Sequence, residues 1–163
     1  MSTFLGMTGT DWALIGGGTA AVLGGIGSAM GITIAAGTAS GILSEDDTKF
    51  GQLLPIAAMP GTQGLYGFIA AVLVVVFFNL LGGKTYLGGV AGFQVFLACQ
   101  PVAWLCLLTA IYQGRTGSSA SGIVAAGKSA PALVFPALVE TYAILALIVT
   151  ILMLLGLQAA YVK

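Results

Sequence analysis

Apolar residues run along this chain in four long stretches, broken by short polar segments at SEDDTK (44–49), GGK (82–84) and GKS (127–129). A helix needs about 20 mostly apolar residues to cross the hydrocarbon layer. The pattern therefore predicts four transmembrane helices. The first span covers 11–42, after which Asp46, Asp47 and Thr48 are placed to cap the second. The second covers 50–81 and the third 86–126. The fourth starts with Ser129 as cap and Pro131 near its first turn, and it ends at Tyr161. At 1.5 Å per residue, windows of roughly 30 to 40 residues reach about 45–60 Å, more than the ~30 Å layer requires. The helices are expected to protrude on one side.

The small residues add a second pattern. Gly16, Ala20, Gly24 and Ser28 recur every fourth position in the first span, as do Ala110, Gly114, Ser118, Gly122 and Ala126 in the third. In a bilayer such stripes let helix backbones approach closely. The second and fourth spans carry large aliphatics instead, AAVLVVVFF and LALIVTILMLL, which suit lipid. Laid over one another with a shift of 79, GTQGLYGFIAAVLVVV (61–76) and ETYAILALIVTILMLL (140–155) place small on small and aliphatic on aliphatic. The expected architecture is an all-α membrane protein, one domain over 1–163, built as tandem hairpins at 11–81 and 86–161. Spans one and three pack tightly, and spans two and four lie outside.

Composition agrees with the pattern and narrows the chemistry. Charged residues make up 6% of the chain, against about a quarter in soluble domains. The five basic and five acidic residues cancel, which removes the electrostatic case for a nucleic-acid partner. There is no His to serve as general base or usual metal ligand. Cys99 and Cys106 share one apolar stretch and read as buried apolar side chains. MSTFLGMTGTDWA carries no Lys or Arg ahead of the first span, so the basic region of a cleavable signal peptide is missing. The first hydrophobic segment is expected to remain in the mature protein.

Nine charges sit at loops, helix ends or interfacial depth. The tenth, Glu140, lies ten residues into the fourth span, within PALVFPALVETYAILALIV. A charge at the bilayer centre costs about 2.5–3.5 kcal/mol on insertion scales, so an intramembrane carboxylate is a functional candidate. The structural alternative is a protonated Glu acting as a hydrogen-bonded link between helices. In the second span, Met59, Thr62, Gln63 and Tyr66 are spaced by three and four residues and share one helix face. Pro60 cannot bond the carbonyl of Ile56 and should kink that helix, leaving carbonyl oxygens free. Gln113 is an isolated polar residue in the third span. Counted from the loops on one side, Gln63, Gln113 and Glu140 each lie about 15–20 Å deep. Three helices thus bring one carboxylate, two amide carbonyls, a hydroxyl and a backbone carbonyl to one level. This hard-oxygen set suits an alkali cation, since a bare proton needs only the carboxylate. The amide N–H groups and the Tyr66 hydroxyl can donate to Glu140. Interhelical hydrogen bonding alone is the plainer account of Thr62, Gln63 and Gln113.

At these residues the sequence resembles the proteolipid, or rotor-ring, subunit of V-type and A-type rotary ATPases in its four-helix bacterial form. The resemblance runs from GGIGSAMG (24–31) through LPIAAMPGTQGLYGF (54–68) and YQG (112–114) to LVETYAIL (138–145), with PGTQGLYGF and VETYAIL its specific motifs. The chain is particularly similar to sodium-translocating K-type members. The resemblance implies Na⁺ ligands at Thr62, Gln63, Gln113 and Glu140, the backbone carbonyl of Met59 as a further ligand, and Tyr66 supporting the carboxylate. Met59 stands where those relatives tend to have Leu, which a backbone ligand tolerates. Met30 stands where a related GIGSAKG motif has Lys. It also implies a homo-oligomeric ring turned by a soluble ATPase head through central stalk subunits, a stator subunit supplying an arginine, and lipid around the outer helices. Both termini would lie outside a bacterial plasma membrane, with SEDDTK and GKS in the cytoplasm. The subunit itself would be non-catalytic. No G-x-x-x-x-G-K-[ST] occurs, and LGGKTYLGG (81–89) reads as a loop. Arg115, two residues from Gln113, either snorkels to an interface or faces the ring interior. The competing functions are the same rotor with H⁺ as coupling ion, or an independent small transporter or pore protein.

Overall fold

A computed structural model describes residues 3–82, 87–128 and 130–162. It contains four helical stretches long and apolar enough to cross a membrane: Gly9–Glu45, Asp47–Phe77, Gly89–Ala125 and Pro131–Tyr161. The first is α1 (Gly9–Glu45). The second is broken into α2 (Phe50–Ala58) and α3 (Thr62–Phe77) by a 3₁₀ turn at Met59–Gly61. The third is α4 (Gly89–Ala125), and the fourth passes from a 3₁₀ turn at Ala130–Leu133 into α5 (Val134–Tyr161). The two expected hairpins are present as an all-α fold.

Local chemistry sets the ends, and it moves several of them from where hydropathy alone put them. α1 starts at Gly9, before Asp11, because Thr8 and Asp11 form a capping box: the Asp11 N–H donates to Thr8 Oγ1 at 3.3 Å and the Thr8 N–H to Asp11 Oδ2 at 2.9 Å. Asp46 caps the short turn Asp47–Lys49, accepting from the Thr48 N–H at 3.1 Å. Bonds from Thr48 and the neighbouring Lys49 hold its carboxyl below the usual carboxylate range. Lys49 Nζ lies 3.2 Å from Asp46 and donates to the Ala125 carbonyl at 3.0 Å, tying the first loop to the end of α4.

The second span ends at Phe77, not residue 81. Asn79 takes the left-handed conformation (φ 48°), and the Leu80 N–H bonds back to Val75 O. Asn tolerates this backbone, and the resulting Schellman cap stops the helix while the sequence is still apolar. Gly127 (φ 80°) closes α4 the same way, with the Lys128 N–H on Ile123 O. α4 begins at Gly89, whereas Tyr86, Lys84 and part of the 81–89 segment lie outside the described residues. The expected Ser129 cap lies outside them too.

α1 packs along α4 and α3 through residues with almost no side chain. Its buried positions are all Gly, Ala or Ser, Gly16, Ala20, Gly24 and Ser28 among them. A Cβ on Gly114 would overlap the backbone of Gly31, and one on Gly92 the backbone of Gly9. The α4 stripe departs from expectation. Ala110 and Gly114 are buried, but Ser118 is half-buried and Gly122 and Ala126 are exposed. A four-residue spacing drifts about 40° per step around a 3.6-residue helix. The buried line accordingly shifts to Gly117, Ala120, Ser121 and Val124. Cys99 and Cys106 are buried and free, and belong to the apolar core between α1, α3, α4 and α5. α3 and α5 turn Leu65, Phe68, Val72, Leu138, Tyr142 and Leu152 outward.

Candidate ion site

Glu140 lies half-buried on α5 and faces the first turns of α3, where Tyr66 meets it. Its two carboxylate oxygens have different partners. Tyr66 on α3 donates its hydroxyl to Oε1 at 2.7 Å, and Gln113 on α4 donates Nε2 to Oε2 at 3.2 Å. The same Gln113 amide donates to the Pro136 carbonyl at 3.0 Å, which fixes its orientation against α5. Gln113 Oε1 accepts from Gln63 Nε2 at 2.7 Å. Thr62 closes the group, its hydroxyl 3.0 Å from the Met59 carbonyl and 3.3 Å from Gln63 Oε1.

One chain of hydrogen bonds therefore joins the second, third and fourth spans and ends on the carboxylate. Gln63 and Gln113 are fully buried. Each buried amide has partners, as a low-dielectric interior requires. The oxygens within this group are the Glu140 carboxylate, the Gln63 and Gln113 carbonyls, the Thr62 hydroxyl and the Met59 carbonyl. All six residues singled out from the sequence are thus brought together. What places Met59 and Thr62 is the 3₁₀ turn at Met59–Gly61, which Pro60 initiates because it has no N–H to continue the α ladder.

Two groups at this site are not evident from spacing. The Pro136 carbonyl supports Gln113. Ser28 of α1, readable only as one member of a small-residue stripe, bonds both Pro60 O at 2.6 Å and the Gly64 N–H at 2.7 Å. Its signal was a hydroxyl among glycines at the depth of the proline. Arg115 is exposed, with its guanidinium 5.4 Å from the Tyr112 ring centre. Among the described residues the one ion pair is Lys49–Asp46, so Arg115 does not neutralise Glu140 within this chain.

Fold and site together define a four-span membrane protein with one intramembrane carboxylate set among neutral oxygen and amide groups. The profile of the ATP synthase C-subunit family matches it twice, at residues 15–74 and 96–153, one copy on each hairpin. The chain is 35% identical over 150 residues to the V-type sodium ATPase subunit K of Enterococcus hirae, covering 91% of this chain and 93% of that protein. It is 39% identical over 144 residues to the A-type ATP synthase subunit K of Methanocaldococcus jannaschii. That match takes in 87% of this chain and 61% of the archaeal protein, less than two thirds of its length. The chain belongs to the ATP synthase C-subunit family and is a c/K-type proteolipid.

Proposed function

We propose that this chain is the ring-forming, ion-carrying rotor subunit of a V/A-type rotary ATPase and that its cargo is Na⁺, held at Glu140. The observation that carries the reading is the continuous chain Thr62, Gln63, Gln113, Glu140, closed by Tyr66. A proton carrier needs the carboxyl group alone, whereas this site adds several neutral oxygens within reach of one another. The Enterococcus hirae relative is a sodium ATPase subunit by name, which points the same way.

The mechanism follows from the energetics of a carboxylate near lipid. Glu140 is half-buried, and its neighbours Leu138 and Tyr142 are exposed. An ionised carboxylate facing hydrocarbon is costly, but one neutralised by a bound cation is not. Loading with Na⁺ thus permits a site to move through lipid as the ring turns. At the stator a partner arginine competes for Glu140 and releases the ion into one half-channel, and the emptied site refills from the other. Tyr66 and Gln113 compensate the carboxylate during exchange by donating to its two oxygens. The chain performs no ATP chemistry, and torque comes from a soluble head through stalk subunits docked near 44–49 and 127–129. Both termini face the opposite, outer side.

The test is covalent labelling of Glu140 by a hydrophobic carbodiimide, which takes up the proton of the acid and is attacked at its central carbon by the carboxylate oxygen. Millimolar Na⁺ at constant pH and ionic strength, with K⁺ as the balancing ion, is expected to slow labelling at least about tenfold. Labelling that follows pH alone and ignores Na⁺ would assign the coupling ion as H⁺.

A further inference from the structure

Ser28 does something unusual for a serine in a membrane helix. Such hydroxyls commonly bond back to a carbonyl of their own helix, as Thr33 does to Ala29 at 2.7 Å and Ser121 to Gly117 at 3.0 Å. Ser28 instead directs both functions of its hydroxyl to the second span. In an uninterrupted α-helix the Gly64 N–H would donate to the Pro60 carbonyl, four residues back. Here the Gly64 N–H donates to Ser28 Oγ at 2.7 Å, and Ser28 Oγ donates to Pro60 O at 2.6 Å. A hydroxyl from another helix stands inside the backbone ladder, which is one of the few physical causes of a sharp local break.

Two glycines make the insertion possible. A Cβ on Gly64 would sit 3.1 Å from Ser28 Oγ, and one on Gly24, one turn before Ser28, would sit 2.8 Å from the Gln63 carbonyl. α1 thus presses onto the break at the depth of the site, and Ser28 is only 7% exposed. Between the two backbone groups it bridges lie Gly61, Thr62 and Gln63. Immediately before Pro60 is Met59, whose carbonyl accepts from both the N–H and the hydroxyl of Thr62. Proline removes one backbone donor, but it does not fix where the freed segment points. The bridge from Ser28 does.

We propose that Ser28 is a positioning residue for the cation site: its inserted hydroxyl holds the Met59–Gln63 turn so that the three oxygens this turn contributes stay aimed at the space beside Glu140. The inference rests on the reading of Glu140 as the ion-carrying group. Ser28 touches no ion itself. Its loss should therefore weaken Na⁺ binding and leave the intrinsic reactivity of Glu140 nearly unchanged.

The experiment uses the purified assembled protein in detergent and measures the Na⁺ concentration that halves carbodiimide labelling of Glu140. Ser28→Ala is expected to raise that concentration about tenfold, the effect of losing one buried bridging hydroxyl. Labelling without Na⁺ should stay within about twofold of the unmodified protein. Ser28→Thr, which keeps the hydroxyl, should restore most of the affinity. Ser121→Ala, which removes a buried hydroxyl bonded within its own helix, should change neither quantity. An unshifted Na⁺ requirement in Ser28→Ala, or an equal shift in Ser121→Ala, overturns the proposal. If Ser28→Ala does not assemble, Ser28→Cys, near in volume but a weak hydrogen-bonding group, carries the same two expectations. If Na⁺ does not protect the unmodified protein, the sodium reading fails on its own. The positioning role of Ser28 toward a cation then falls with it, whereas an unshifted Na⁺ requirement in Ser28→Ala, with Na⁺ protection intact in the unmodified protein, overturns the role of Ser28 alone.

Discussion

Glu140→Gln is expected to abolish ion translocation while leaving the four-span fold and its assembly in place. The substitution conserves volume, and the new amide oxygen can still accept the Tyr66 hydroxyl that now lies 2.7 Å from Oε1. What disappears is the single negative charge at the meeting point of three spans. A cation brought out of water into that site would face only neutral dipoles. Removing one partner of a buried charge pair costs about 2–5 kcal/mol, and the middle of that range is a loss of about two to three orders of magnitude in affinity. Tracer Na⁺ uptake by vesicles carrying the reconstituted complex should fall to background, while native electrophoresis of the purified protein should show the unmodified assembly. Loss of the assembly together with transport would instead identify Glu140 as a structural link between helices.

The second large effect concerns the contact that lets α1 and α4 run side by side. Gly114→Ala places a methyl group where Gly31 has its backbone carbonyl and Cα. Side chains can rotate away from an intruding methyl, but a helix backbone cannot, so the helices must separate along their length. Overpacking of ordinary cores costs about 1–3 kcal/mol, and a backbone clash belongs at or above the upper end. Gly51→Ala makes the same chemical change where a Cβ meets nothing within 4 Å. In α2 it should be neutral or stabilising by about 1 kcal/mol, because Ala is the better helix former. The expected result is a lowered unfolding temperature and reduced membrane accumulation for Gly114→Ala, and neither for Gly51→Ala. Equal behaviour of the two variants would mean that the α1–α4 contact is looser than the structure has it.

How far the sequence could be read depends on how rare each signal is against its surroundings. In a chain with ten charges, all but Arg115 within α4 mark a boundary or a site, so the four spans and Glu140 stand out. The meeting of Thr62, Gln63, Tyr66 and Gln113 with Glu140 follows from helical rise and spacing, because straight helices keep residues at equal depth at one level. The span ends were harder. The second helix stops at Phe77 through the backbone of Asn79, and hydropathy continues past it to Leu81. The stripe on α4 drifts out of contact after Ser118, whose hydroxyl still meets Thr38 of α1, because a count of four is not a helical period. Ser28 was hidden for a different reason. In GGIGSAMG a serine is one more small residue, and its role exists only once the proline break of another helix lies against it. A bridge between helices is tertiary information, and no local pattern encodes it.

The proposed sodium-rotor mechanism requires that each chain bind one Na⁺ at Glu140. Equilibrium binding of tracer Na⁺ to the purified assembly, counted per chain, decides whether it does. About one ion per chain is expected at saturation, displaced as the pH falls and the carboxylate takes up a proton instead. Binding should be lost in Glu140→Gln. Saturable binding that survives Glu140→Gln, or no binding to the unmodified protein at any Na⁺ concentration up to about 1,000 times that expected of a millimolar site, would refute Na⁺ as the cargo of Glu140.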